Sequence, residues 1–388
     1  VDEFVFVVKL SKFCNLRCAY CYEHRELHLR ENMTPGTLER LFADVDGFGA
    51  RLREMGVSPE FSFVWHGGEP LLLGRGYYER IAELQQRHIR DFPCRNSVQT
   101  NLHGIARDSL EFVLDSGWHL GVSIDFGADV RVNAGGRDSG ASVVAAAEKL
   151  HASGARFGAI SVLGAHNRDT LAGAYDWVAA FSDGWRILPM FEGGPEAGIS
   201  RLQLPGEEVI RVFAELFERR ANSNRHIPIA PLDDYVKFAT LGIAGHRSQP
   251  DLERDLLDNI FVVNVNGDIH TRPFAYDPQR CLGNINRDSM AEMVEGAAYR
   301  ACQRDIRQRK SLNCASCAML GFCDTSPMHE HGTVTGGRCV VPQGSMLALE
   351  RALLAGGVDR TVVAGWAREW LAGHRGQFAP AAPEGDRS

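Results

Sequence analysis

Three thiols in eight residues, Cys14-Asn15-Leu16-Arg17-Cys18-Ala19-Tyr20-Cys21, follow directly on the apolar run Phe4-Val5-Phe6-Val7-Val8. Thiolate is the usual ligand of iron–sulfur clusters, so a triplet this tight binds the chain to a narrow chemistry. Three cysteines hold three irons of a [4Fe–4S] cube, and with no fourth cysteine nearby the last iron stays open to a small molecule. Structural zinc sites close four ligands, and their C-x2-C pairs differ from this C-x3-C-x2-C spacing. An iron–sulfur cluster with one open iron is therefore expected on Cys14, Cys18 and Cys21.

The remaining chain must supply a scaffold for such a cluster. Its 388 residues allow a sizeable core and two or three structural units. No apolar stretch approaches the ~20 residues that span a bilayer. With 42 basic and 49 acidic residues the net charge is −7, so the basic stripe of a nucleic-acid binder is missing. The ten cysteines fall mostly into tight groups suited to metal, and no signal-peptide pattern stands at the start. A reducing, oxygen-poor cytoplasm is the expected compartment. The first residue is not an initiator methionine, so a trimmed start is expected.

From residue 4 to 191, short β-branched or aromatic runs alternate with longer amphipathic segments, the pattern of repeated βα units. Strands are expected at 4–9, 60–65, 95–99, 120–124, 158–163 and 185–190, and helices at 35–55, 76–90, 106–116, 141–153 and 170–182. Thr34-Pro35 combines a preferred N-cap with proline at the first helical position. Six such units fit an α/β fold, an open, partial (βα)6 TIM barrel, with ligands beyond the C-terminal strand ends.

Polar residues emerge at those ends. Trp65-His66-Gly67-Gly68-Glu69-Pro70 follows the second strand, with glycines that let a backbone approach closely and expose amide donors, and a carboxylate that can accept from an ammonium. The third strand ends at Gln99-Thr100-Asn101 and the fourth at Val122-Ser123-Ile124-Asp125. Helix capping and Asx turns account for such residues as well as ligand contact does. Arg137, after Asn133-Ala134-Gly135-Gly136, is either a planar cation for a carboxylate or a surface arginine.

Around residues 192–260 the periodicity loosens through Gly193-Gly194-Pro195, a helix near 205–222 and then Pro228–Pro231, and Leu232-Asp233-Asp234-Tyr235 reads as a solvated helix start. Residues 261–270 then form a hairpin pattern with an Asn266-Gly267 turn. Leu282-Gly283-Asn284-Ile285 and a helix from Ser289 follow. Cys314, Cys317, Cys323 and Cys339 can close a second [4Fe–4S] cluster or a zinc, and spacing alone does not choose between them. Cys94, Cys281 and Cys302 are left over, and single cysteines of this kind are usually core residues. Two amphipathic helices joined at Gly356-Gly357 are expected over 343–374.

The triplet with its aromatic Tyr20, the Gly-Gly-Glu-Pro, the Thr-Asn and the Ser-Ile-Asp together resemble the radical S-adenosylmethionine (radical SAM) enzymes. In that family the open iron chelates S-adenosylmethionine, which is cleaved to a 5′-deoxyadenosyl radical that removes a substrate hydrogen. The resemblance implies cofactor contacts at Tyr20, Gly67, Gly68, Glu69, Pro70, Asn101, Ser123, Asp125 and Arg137. Two departures stand out: Phe126 replaces the glycine after Asp125, and Ala134 an aspartate.

The hairpin, the Gly-Asn-Ile and the C-x2-C-x5-C…C resemble the SPASM extension of radical SAM maturases. Three of its seven cysteines are replaced, by Arg272, Asp288 and Pro327, so the resemblance implies one auxiliary cluster on Cys314, Cys317, Cys323 and Cys339. The implied division is a barrel at 1–195, a bridge at 196–258, a reduced SPASM or twitch-like α+β domain at 259–345, closing helices at 346–376 and a disordered tail at 377–388.

The layout is similar to that of maturases of ribosomally made peptides, particularly those closing cyclophane-like side-chain crosslinks. It implies a precursor peptide as substrate and a flavodoxin or ferredoxin as electron donor. Asp288 and His270 are the general-base candidates. A sulfatase-maturase-like oxidase, a single-auxiliary-cluster dehydrogenase and a non-catalytic peptide-binding scaffold are the alternatives.

Overall fold

Alternation builds the first strand. In β1 (Asp2–Ser11), Phe4, Phe6 and Val8 are fully buried while Val5 and Val7 are half-buried, so one face packs on helices and the other lines a partly open side. The computed structural model describes residues 2–127, 129–190, 200–246, 259–272, 277–323, 338–356 and 359–373.

The further strands are β2 (Leu16–Cys18), β3 (Pro59–Gly67), β4 (Cys94–Thr100), β5 (His119–Ser123), β6 (Arg131–Asn133), β7 (Gly158–Leu163), β8 (Trp185–Pro189), β9 (Ile229–Ala230), β10 (Ile260–Val263), β11 (Asp268–Thr271) and β12 (Gly283–Asn284). The helices of eight or more residues before β8 are α1 (Pro35–Glu54), α2 (Arg75–His88), α3 (Arg107–Asp115) and α4 (Gly140–Ala152); the short α5 (Tyr175–Phe181) completes the series. Thr34 caps α1 as expected, its hydroxyl accepting from Thr37 N over 3.1 Å.

β1, β3, β4, β5, β7 and β8 run parallel in that order, each joined to the next through a helix. These are the six expected strands, and the fold is the α/β barrel type read from the sequence. Behind the sheet Phe4, Phe6, Phe61, Phe63 and Trp65 pack against Phe42, Val45, Phe48 and Tyr78. Each such ring stabilises the fold by roughly 1.5–3 kcal/mol through burial alone.

The C-terminal region is fused to this sheet rather than tethered to it. The expected hairpin forms β10 and β11, and β10 pairs in parallel with β1 on its open edge, Val5 beside Ile260 through Val8 beside Val263. Phe261 stacks on Phe6 at 5.6 Å. The short α8 (Met290–Val294) begins with a capping box between Ser289 and Glu292, and Met290 N donates to Asp44 of α1 over 2.5 Å.

The 196–258 bridge contributes structure of its own: α6 (Gly206–Ala221), the edge strand β9 beside β8, and α7 (Leu232–Ala244), whose first turn holds Asp233 and Asp234. After α9 (Ala297–Cys314), helices α10 (Val340–Ala355) and α11 (Arg360–Gly373) pack on α6 and α7. Val212, Phe213, Phe238, Met346, Leu349 and Ala367 share one core with Trp185 and Ile187 of the barrel. Residues 193–195, Gly357, Pro327 and the segment 377–388 lie outside the described residues. No described helix is long and apolar enough to cross a membrane.

Candidate functional site

The ladder between β1 and β3 shifts register between Lys9 and Ser11, which turns the chain out of the sheet and into the cysteine loop. Two anchors hold that loop over the C-terminal strand ends. β2 pairs antiparallel with β6, and Ala19 N donates to Val130 O over 2.8 Å. On the other side Gly68 N and Glu69 N donate to Ser11 O and Phe13 O over 2.7 and 2.9 Å. Gly67 has φ +127°, and a Cβ on Gly68 would stand 2.2 Å from Phe13 O. A Cβ on either glycine would collide with the cysteine loop, so the Gly-Gly pair lets that loop sit directly against the end of β3, and the amides of Gly68 and Glu69 hold it there.

Cys14, Cys18 and Cys21 pack together with Leu16 and Leu27, Cys14 buried and the others half-buried. Burial pushes the Cys14 and Cys21 thiols up to about 12 and also raises Cys18. Two N–H donors aim at the Cys14 sulfur, Leu16 N at 3.4 Å and Asn101 Nδ2 at 3.6 Å. Asn101 also donates to Asn15 Oδ1 over 2.9 Å, so this residue holds the cysteine loop.

Glu69 is 1% exposed, with Oε1 accepting from Thr100 Oγ1 and Leu71 N and Oε2 accepting from Asn101 N, at 2.8, 3.0 and 2.6 Å. Burial raises its carboxyl to about 7 against the pull of those donors. Pro70 opens a short 3-10 turn, and its carbonyl accepts from Tyr78 Oη over 2.7 Å, a scaffold role. Ser123 Oγ accepts from Gln99 Nε2 over 2.8 Å, a reach that the bare Cα of Gly121 permits.

A buried polar array links the aromatic of the loop to the barrel. Tyr20 Oη donates to Asp125 Oδ2, and Arg131 Nη1 reaches both the Tyr20 hydroxyl at 3.0 Å and Asp125 Oδ2 at 3.2 Å. Asp125 Oδ1 also accepts from Val162 N over 2.8 Å, so this carboxylate is committed within the protein. Arg131 is the buried cation of this array, whereas Arg137, the cation expected from the sequence, lies exposed in the tight turn after β6, where its backbone pairs with Asn133. An arginine inside the apolar stretch Val130–Val132 was the only available signal.

Two further features escaped the sequence reading. His166 stacks on Tyr20 at 5.9 Å, and burial lowers its imidazole pKa. Lys9, 7% exposed, pairs with Glu23 of the loop at 2.6 Å beside His66.

The general-base candidates separate. Asp288 Oδ2 accepts from Asn284 N over 2.8 Å and closes the turn after Gly283, a structural duty. His270, 5% exposed, shares the inner face of the sheet with Val7 and Val262, and burial lowers its imidazole pKa.

The second cysteine group gathers where α9 ends and α10 begins. Cys317 N donates to Cys314 O over 3.0 Å, Cys323 N to Met319 O over 3.0 Å, and Cys339 N to Asn313 Oδ1 over 3.0 Å. Burial, followed by Cys314 and Cys317, pushes Cys339 up to about 12. Cys302 is buried with Ile306, Cys94 is half-buried on β4, and Cys281 Sγ donates to Gly283 O over 3.3 Å. Among the described residues no three His, Cys, Asp or Glu side chains converge as a mononuclear metal would need.

These residues fit an iron–sulfur group on the loop. The thiols share one apolar nest, amide donors face sulfur, and the fully buried Arg131 keeps Nε without a partner beside Cys18. A parallel barrel with a three-thiol loop over its C-terminal strand ends and a four-thiol group after it defines an iron–sulfur redox enzyme.

The comparisons give that class its family. The Radical SAM superfamily profile matches residues 8–178, and the SPASM iron–sulfur cluster-binding domain profile matches 256–318. The chain is a radical SAM enzyme with a SPASM domain, and its cofactors are S-adenosylmethionine and iron–sulfur clusters. It is 23% identical over 345 residues to the serine-type anaerobic sulfatase-maturating enzyme of Bacteroides thetaiotaomicron, covering 83% of this chain and 81% of that one. It is 24% identical over 310 residues to the cysteine-type enzyme of Clostridium perfringens, covering 74% and 78%.

The structure of native anSMEcpe with bound AdoMet has the same fold, with TM-score 0.67, 20% identity, and 94% of this chain and 100% of that one covered. Streptococcus suis SuiB bound to S-adenosylmethionine gives TM-score 0.56 at 14% identity, covering 84% and 74%.

Proposed function

We propose that this enzyme is an oxidative peptide maturase, which takes a hydrogen from a side-chain or backbone carbon of a ribosomally made precursor and closes an intramolecular, cyclophane-like C–C or C–X bond. When bound to Cys14, Cys18 and Cys21, a [4Fe–4S] cluster supplies the electron that cleaves S-adenosylmethionine to methionine and a 5′-deoxyadenosyl radical. Tyr20, Gly67, Gly68, Glu69, Asn101 and Ser123 border the place for that cofactor. In this reading Glu69 answers its ammonium and Arg131 its carboxylate, charge-assisted contacts of the stronger kind. The apolar inner face of Val5, Val7, Val64, Ile160 and Val162 keeps water from a reactive carbon radical.

The observation that carries the oxidative reading is the second thiol group. Closing a crosslink removes a hydrogen pair from the peptide: one leaves as an atom to the 5′-deoxyadenosyl radical, the other as a proton plus an electron. Cys314, Cys317, Cys323 and Cys339 would hold an auxiliary [4Fe–4S] cluster able to take that electron. The peptide substrate is supported by the names of similar proteins, among them a SuiB structure described as bound to precursor peptide SuiA. A flavodoxin or ferredoxin is the electron donor we expect, in the reducing cytoplasm that such thiols require.

A second reading is oxidation of a cysteine or serine side chain of a sulfatase-type substrate, and similarity over most of the chain to serine-type and cysteine-type sulfatase-maturating enzymes favours it. Both readings are tested together. Reconstituted enzyme, S-adenosylmethionine and reductant are incubated with a panel of candidate ribosomal precursor peptides and with a sulfatase-type peptide carrying cysteine or serine. Loss of a hydrogen pair with fragmentation blocked between two bridged residues supports the crosslink. A hydrazide-reactive aldehyde on the sulfatase-type peptide replaces it with the second reading, and deoxyadenosine formed with both peptides unchanged removes both.

A further inference from the structure

Lys310 is 1% exposed, a rare placement for a lysine, and it lies on α9 one helical turn before Cys314. That position puts its stem on the same helix face as the cysteine, and its charge acts on the Cys314 thiol. The neighbouring Cys317 sulfur receives two N–H groups, from Met319 N at 3.4 Å and from Gln343 Nε2 of α10 at 3.4 Å.

A [4Fe–4S] cluster on four thiolates is anionic and gains one more negative charge on reduction, and its potential follows net charge and hydrogen bonds to sulfur. We propose that Lys310 is a built-in counter-charge for the Cys314, Cys317, Cys323 and Cys339 centre, set there to raise its reduction potential and make it an electron acceptor. Lys310 is thus a positioning residue, acting through the cluster and not on substrate. The inference rests on the reading that these four thiols hold iron and sulfide, and it deepens that reading by giving the centre a direction: it receives electrons more readily than a four-cysteine cluster without the buried cation.

The 388-residue chain carrying Cys14→Ala, Cys18→Ala and Cys21→Ala, reconstituted with iron and sulfide, leaves only this centre to report. Its midpoint potential is read by EPR-monitored titration. Lys310→Met is expected to move the midpoint to more negative values with iron per chain unchanged, and Lys310→Arg to hold the parent value. A midpoint that Lys310→Met leaves in place, or moves the other way, overturns the proposal. If Lys310→Met takes up less iron, Lys310→Gln is titrated in its place under the same criterion. Zinc in the parent, or no paramagnetic signal on reduction, overturns the cluster reading and the proposal with it, and is seen before any lysine variant is compared.

Discussion

Arg131 Nη1 lies 3.2 Å from Asp125 Oδ2, and the two side chains are 5% and 1% exposed. Their partner is Tyr20, the aromatic between the second and third cysteines of the loop. The pair therefore locks the cluster loop to the end of β5. Breaking a buried pair from one side leaves an uncompensated charge, so Arg131→Met is expected to destabilise the metal-free chain by about 3–5 kcal/mol. Adding Asp125→Asn recovers part of that loss. Arg137→Ala, on the exposed turn, stays within about 0.5 kcal/mol of wild type. Urea unfolding of the four proteins decides, and equal costs for the two arginines would remove the assignment.

Gly68 gives a steric test of how the loop is seated. A methyl there meets Phe13 O at 2.2 Å, whereas one at Gly76, in α2, meets nothing within 4 Å. Gly68→Ala is expected to halve, roughly, the iron taken up on reconstitution, because only the C-terminal centre then fills. Gly76→Ala is expected to take up iron as wild type does. Full iron in Gly68→Ala would show that the loop tolerates another seating.

Asn101 donates to the Cys14 sulfur and to Asn15 from the end of β4. A hydrogen bond to a charged acceptor contributes roughly 1.5–3 kcal/mol, so Asn101→Leu is expected to slow S-adenosylmethionine cleavage about tenfold or more with iron retained. Deoxyadenosine formation under single-turnover conditions measures it. An unchanged rate would mean that this donor does not act on the cluster.

Glu69 sets a pH dependence in the metal-free chain. Its carboxyl rises from an ordinary 4.5 to about 7 because of burial, so the unfolded chain ionises first. The stability associated with keeping Glu69 neutral is complete below about pH 4.5, falls as pH rises toward 7, and changes no further above it, a span on the order of 3 kcal/mol. Glu69→Gln is expected to flatten that slope. Parallel stability curves for wild type and variant across the window would refute the coupling.

Metal content separates the two thiol groups. About eight irons per chain are expected after anaerobic reconstitution, falling to about four in the Cys14/Cys18/Cys21→Ala variant, with deoxyadenosine production lost. Replacing Cys94, Cys281 and Cys302 with alanine is expected to leave iron unchanged, since Cys302 packs in a small core and Cys281 bonds its own turn. A drop on removing Cys281 would make it a ligand.

Local patterns determined what local rules govern. Strand alternation around Phe4, Phe61 and Gly158, the Thr34 cap, the Asn266-Gly267 turn and the cysteine spacings depend on neighbours in sequence, and each element was legible from residues alone. Tertiary structure decided the rest, because burial and pairing are set by residues far along the chain. Only the fold shows that Gly68 seats the cysteine loop against Phe13, that Arg131 and not Arg137 is buried against Asp125, and that His166 lies on Tyr20. Only the parallel pairing of Val5–Val8 with residues 260–263 fuses the hairpin to the barrel, since a strand edge takes its partner by hydrogen bonds that carry no sequence signature.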